Sequence, residues 1–134
     1  MEEKVKILLV DDEWPVLRSE EKMLSYEGFE VETAQNSRQA LEVFQRASEA
    51  GSPFQIAILD LCMPDFEGVE TADAGFELLE ELLALQPDLA VIMLTAYDAV
   101  SMVKAALRAG ARDFFVKGRD EDLAALVRKT LGQM

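Results

Sequence analysis

The chain contains no histidine, so any imidazole chemistry it takes part in must come from another molecule. Its single cysteine, Cys62, excludes an intramolecular disulfide and agrees with a reducing compartment. Basic residues are scarce: 13 Lys and Arg stand against 26 Asp and Glu, for a formal net charge of −13. That imbalance repels nucleic acid and anionic membrane over most of the surface, so neither is expected as a direct partner. No apolar run reaches the roughly 18 residues of a membrane helix, and the opening MEEKVK lacks the basic-then-apolar pattern of a secretory signal. A cytoplasmic location is the expectation. Repeats, low-complexity tracts and linkers are also missing, so the 134 residues, 50% hydrophobic, are expected to form one domain, 1–134, around one core.

What is present is alternation. VKILLV (5–10), FEVETA (29–34), FQIAIL (54–59), AVIML (90–94) and DFFV (113–116) read as five strands. Four are apolar enough to be buried on both faces, whereas FEVETA alternates and reads as an edge. Between and after them run helical stripes: Val16, Leu17, Met23, Leu24; Ala40, Leu41, Phe44, Ala47; Leu78, Leu79, Leu82, Leu83; Val100, Val103, Leu107; and Leu123, Leu126, Val127, Leu131. Gly28, the GSP at 51–53, Pro87 and Gly110 mark helix ends, and Asn36 with Gln39 forms a capping pair for the second helix. Strict βα alternation implies an α/β fold, a doubly wound (βα)5 parallel sheet with helices on both faces.

Ligands of such sheets bind beyond the carboxyl ends of the strands. Asp11 and Asp12 end the first strand, Asp60 the third, Thr95 the fourth and Lys117 the fifth, so all five converge on one edge. Asp11, Asp12 and Glu13 are consecutive carboxylates that repel one another unless a cation belongs among them. Carboxylates on loops suit a hard cation with oxygen ligands, and a site with room for waters and a phosphate suits Mg2+ better than Ca2+. Asp60 beside such a cation can attack a phosphoryl group, with Lys117 and Thr95 neutralising its oxygens. Singly, each residue has a commonplace role: a helix cap, a surface lysine, a turn hydroxyl. Their shared edge is what points to chemistry.

LLVDDE (8–13), AILDLCMPDFEG (57–68), VIMLTA (91–96) and GARDFFVKG (110–118), each at a strand end and in this order, resemble the response regulator receiver domain over essentially the whole chain. The resemblance implies a CheY-like, flavodoxin-like fold with strand order 2-1-3-4-5. It implies that Asp60 is the phosphoacceptor, that Mg2+ is held by Asp11, Asp12, Asp60 and the carbonyl of Cys62, and that Lys117 pairs with the phosphoryl group. Thr95 and Phe114 would form the switch. The implied partners are a sensor histidine kinase or histidine phosphotransfer protein, and a downstream protein or effector domain. Phosphorylation-dependent dimerisation is among the outputs it allows. The expected module is a signalling domain of a two-component phosphorelay, not an enzyme beyond promoting its own phosphorylation and dephosphorylation. By resemblance, Cys62 and Tyr97 also flank the path of the water that hydrolyses the acyl phosphate.

Rival classes fit less well. A haloacid dehalogenase type of phosphohydrolase requires an acid two residues after its nucleophile, where Cys62 stands. A flavodoxin-type flavin binder requires a Ser/Thr/Gly-rich loop after the first strand, where DDEWPV would repel phosphate. The serious alternative is a degenerate receiver that binds partners without being phosphorylated, against which stands the retention of Asp60, Thr95 and Lys117. Two departures from the family pattern remain. VETADAG (69–75) intervenes before FELLEELL, as an extra turn or a flap, and is expected to be dispensable for folding. Gly118 stands where proline usually follows the lysine, so the bond after Lys117 is expected to be trans.

Overall fold

The computed structural model describes residues 4–61, 63–64, 70–71, 74–95, 102–117 and 122–132. Along the chain these form β1 (Lys6–Val10), α1 (Trp14–Tyr26), β2 (Glu30–Ala34), α2 (Ser37–Glu49), β3 (Ile56–Asp60), β4 (Met63–Pro64), β5 (Glu70–Thr71), α3 (Ala74–Leu85), β6 (Ala90–Thr95), α4 (Val103–Arg108), β7 (Asp113–Val116) and α5 (Leu123–Thr130). Five strands pair in parallel in the order β2-β1-β3-β6-β7, which is 2-1-3-4-5 counted over this sheet alone. β1 and β3 are central neighbours, with Val10 opposite Leu59 in register.

Because side chains alternate across a strand, the sheet divides the core in two. Leu8, Val10, Ala57, Leu59, Val91 and Met93 face one side and pack with Phe44, Leu78, Leu82 and Ala106 of α2, α3 and α4. Ile7, Leu9, Ile56, Ile58, Ile92 and Leu94 face the other and pack with Leu17, Leu24, Leu123 and Val127 of α1 and α5. Each such side chain is worth about 1.5–3 kcal/mol when fully buried, so inner strands covered on both faces are apolar throughout. β2, at the edge, alternates in exposure as its sequence implies. Among the described residues, no helix is long and apolar enough to cross a membrane.

Helix ends follow local chemistry. The Asn36 side chain accepts a bond from the Gln39 N–H at 2.9 Å, and the Gln39 side chain accepts one from the Gln35 N–H at 2.9 Å. The expected pair therefore caps α2 at its start. After α1, the Gly28 N–H donates to the Ser25 carbonyl and the Phe29 N–H to the Leu24 carbonyl, at 3.1 and 3.2 Å. This Schellman closure requires the positive φ of 98° at Gly28, and it delivers Phe29 onto Leu24 in the core.

Several boundaries differ from the periodicity reading. β3 and β6 each run one residue beyond the apolar stretch, so that Asp60 and Thr95 are themselves the last residues of their strands. Phe54 precedes β3 and stacks on Phe44, with ring centroids 6.1 Å apart. Leu107, expected on the buried stripe of α4, is 41% exposed, because this six-residue helix turns Val103 and Ala106 to the sheet. Within the segment read as an intervening 69–75, Glu70–Thr71 pairs antiparallel with Met63–Pro64. Ala74 and Gly75, by contrast, are buried members of α3. The third helix therefore begins at Ala74, inside the stretch read as intervening before FELLEELL.

Candidate functional site at the carboxyl edge of the sheet

The backbone ladders carry the site residues. Asp11 continues β1 by donating its N–H to the Ala34 carbonyl at 3.1 Å, and Lys117 continues β7 by donating to the Thr95 carbonyl at 2.9 Å. Asp60 is opposite Leu94 in register, and Leu61 donates to the Leu94 carbonyl at 2.9 Å. Hydrogen bonds along rigid strands thus aim three side chains from β1, β3 and β7 at one point. Asp11 and Thr95 are fully buried and Asp60 is nearly so.

Lys117 draws the carboxylates together. Its Nζ lies 3.0 Å from Asp60 Oδ2, 2.9 Å from Asp11 Oδ2 and 3.2 Å from Glu13 Oε1. The contacts to Asp60 and Glu13 are directed hydrogen bonds. The contact to Asp11 is a close ion pair that leaves Oδ2, shielded from water, without an aligned donor. Asp11 Oδ1 accepts from the Glu13 N–H at 2.9 Å, which fixes the carboxylate plane at the turn into α1. Burial pushes the Lys117 ammonium down, but the charges of Asp60 and Asp11 and their contacts with it outweigh that and hold it above its ordinary value. The lysine is charged at every physiological pH.

Four carboxylates, those of Asp11, Asp12, Glu13 and Asp60, present oxygens within 4.8 Å of one another. One ammonium does not balance them, and the buried Asp11 Oδ2, ion-paired with Lys117, accepts no directed hydrogen bond. A small divalent cation with oxygen ligands fits both facts. Of the expected metal ligands, Asp11, Asp12 and Asp60 are therefore brought together. Cys62, whose carbonyl was to complete the set, lies outside the described residues, as do Tyr97 and Gly118.

Thr95 and Phe114 share a sheet face. Thr95 is opposite Val116, and Phe114 lies two residues before Val116, opposite Met93. Phe114 is half-buried against the core beneath α2, α3 and α4. Lys104, Arg108 and Arg112 are exposed.

Two residues near the site had no role in the sequence reading. Glu13 was noted only as a third adjacent carboxylate. Glu20 sits three residues after Leu17 and four before Leu24, on the inward stripe of α1. That spacing was the available signal. Its Oε1 is buried without a partner. Burial, reinforced by the nearby Asp11 charge and opposed by Lys117, raises its carboxyl from 4.5 to about 7.

Residues 7–128 match the response regulator receiver domain family. The chain is 37% identical over 131 residues to Response regulator MprA of Mycolicibacterium vanbaalenii, covering 94% of this chain and 52% of that protein. It is 32% identical over 127 residues to Regulatory protein AtoC of Escherichia coli, covering 94% of this chain and 25% of that protein. The chain thus spans about half, or less, of these curated relatives. Among solved structures, a receiver domain protein from Clostridium thermocellum superposes with a TM-score of 0.81 at 28% identity, covering 96% of this chain and 94% of that one. A CheY-like receiver from Methanospirillum hungatei gives 0.81 at 30% identity, covering 97% and 95%.

The chain belongs to the response regulator receiver domain family, the signalling modules of two-component systems.

Proposed function

We propose that Asp60 accepts a phosphoryl group from the phosphohistidine of a sensor kinase or phosphotransfer protein, in a cytoplasmic phosphorelay. The observation that carries this is the convergence on Asp60: Lys117 Nζ stands 3.0 Å from its carboxylate, and Asp11 is tied to the same ammonium at 2.9 Å. A carboxylate oxygen of Asp60 attacks phosphorus, a P–O bond forms as the donor's P–N bond breaks, and the leaving imidazole keeps the electron pair and takes up a proton. Lys117 holds the transferred group by its charge, and Thr95, at the end of the neighbouring strand, would turn its hydroxyl to the same oxygens. Asp11, Asp12 and Asp60, with the carbonyl of Cys62, would hold Mg2+. When bound, that ion neutralises charge on the phosphoryl oxygens.

The output is a population shift. Thr95 and Phe114 turn inward together, and the surface of α4, β7 and α5 changes its affinity for a downstream protein, an effector domain or a second phosphorylated copy. Phosphorylation acts only through the energy difference it makes between the two states.

Incubation with acetyl phosphate and Mg2+ tests the reading. Intact-mass spectrometry is expected to show one added phosphoryl group, absent in Asp60→Asn. An unchanged mass, or a modification that survives in the variant, overturns it and favours a module that binds partners without phosphorylation.

A further inference from the structure

Glu13 occupies the N-cap position of α1, yet its side chain makes no capping bond. It turns instead to Lys117, 104 residues away, and takes one of the two directed hydrogen bonds of that ammonium, at 3.2 Å. The other goes to Asp60, and the remaining close contact is the ion pair with buried Asp11. An ammonium has three N–H donors and no acceptor; here two are directed at Asp60 and Glu13, and buried Asp11 crowds the ammonium at 2.9 Å. A phosphoryl oxygen arriving on Asp60 must take over one of these positions.

The three contacts differ in how easily they are given up. The Asp11 side chain is 0% exposed and its other oxygen is bound to the Glu13 N–H. Asp60 carries the new bond itself. The Glu13 side chain is 61% exposed, makes the longest of the three contacts and can be rehydrated on release. We infer that Glu13 is the displaceable counter-ion of Lys117: it engages the ammonium before reaction, and the incoming phosphoryl group takes its place. This rests on the reading of Asp60 as phosphoacceptor and adds a positioning residue to it. Glu13 thereby opposes phosphorylation twice, by holding a donor the phosphoryl group needs and by placing a negative charge where a phosphate dianion must arrive.

The test is the second-order rate constant for phosphorylation by acetyl phosphate with saturating Mg2+, measured by intact mass in the wild type, Glu13→Gln and Glu13→Ala. Both variants are expected to react about two- to fivefold faster at low ionic strength, the scale of one exposed ion pair. The gain should shrink in about 0.5 M salt, where such pairs are screened; a merely structural role would not produce that dependence. Mg2+ affinity, read from the fluorescence of the sole tryptophan, Trp14, should fall less than about threefold. Equal or slower reaction of either variant, or a salt-independent gain, overturns the inference. So does a tenfold loss of Mg2+ affinity, which would make Glu13 a holder of the cation. A wild type that takes up no phosphoryl group overturns the Asp60 reading itself, so the two failures are distinguishable.

Discussion

Gly75, the second residue of α3, packs directly on the backbone that carries Asp60. A methyl group in place of its hydrogen would lie 2.8 Å from the Asp60 carbonyl oxygen and 2.7 Å from Leu61 Cα. Its N–H donates to the Leu61 carbonyl at 3.2 Å. The neighbours are main-chain atoms at the end of a central strand, which cannot rotate away as a side chain would. The only relief is to push α3 off the sheet or to shift Asp60.

Gly75→Ala is therefore expected to destabilise the domain by about 1–3 kcal/mol, the range for overpacking a filled site. It should also slow phosphorylation of the fraction that remains folded. Urea denaturation and acetyl phosphate kinetics check both effects. Deletion of 69–75, which removes Ala74 and Gly75, is expected to unfold the protein. A stable Gly75→Ala variant with wild-type kinetics would show that α3 adjusts without moving Asp60.

Removing the cation from the acidic cluster has a different signature. Lys117→Met removes the ammonium that stands 2.9 Å from buried Asp11 and 3.0 Å from buried Asp60. Breaking a fully buried pair costs about 3–5 kcal/mol; with Glu13 exposed and Asp12 partly so, about 2 kcal/mol is expected at pH 7. Folding raises the lysine above its ordinary 10.5, so its contribution is fully present below that value and is lost only as pH rises through the higher folded one. The difference between wild type and variant due to lysine titration should accordingly be flat from pH 6 to 9. Mg2+ should stabilise Lys117→Met more than the wild type, because more negative charge awaits it. Equal stability of the two proteins without Mg2+ would contradict the electrostatic account.

Glu20 is expected to make stability fall with rising pH. Its folded value of about 7 exceeds its ordinary 4.5, so between these the folded state keeps a proton that the unfolded state has released. The stability lost across this window, complete above about pH 7, corresponds to roughly 3 kcal/mol at 1.36 kcal/mol per pH unit. Partial exposure brings the expected effect to about 1–2 kcal/mol. Glu20→Gln should therefore be more stable than the wild type at pH 8 and about equal to it near pH 4.5, in denaturation curves recorded with chelator. A pH-independent difference would mean that packing, not ionisation, governs this position.

Much of the molecule was legible before the fold was known. ILLV in β1 and IAIL in β3 read as doubly buried strands because in a parallel sheet both faces are covered. Asn36 and Gly28 announced helix ends because the groups they satisfy lie within four residues in the chain. The positions of Asp11, Asp60, Thr95 and Lys117 at strand ends followed from the same alternation. Leu107 and the start of α3 differ from the periodicity for a common reason. The phase of a short helix and the start of α3 depend on how closely an element approaches its neighbour, and periodicity does not encode that distance.

The sequence by itself determined which residues form strands and helices and which chemistry gathers at the carboxyl edge, because those properties are set by hydrophobic period and local hydrogen bonding. Only the tertiary structure decided that Glu13 reaches across 104 residues to Lys117 instead of capping its own helix. It likewise decided that Glu20 is shut into the inner face of α1 and that Gly75 touches the backbone at Asp60. These relationships depend on side-chain direction and on contacts of about 3 Å between segments far apart in the chain. Such distances are set when the helices close on the sheet, and no local pattern specifies them.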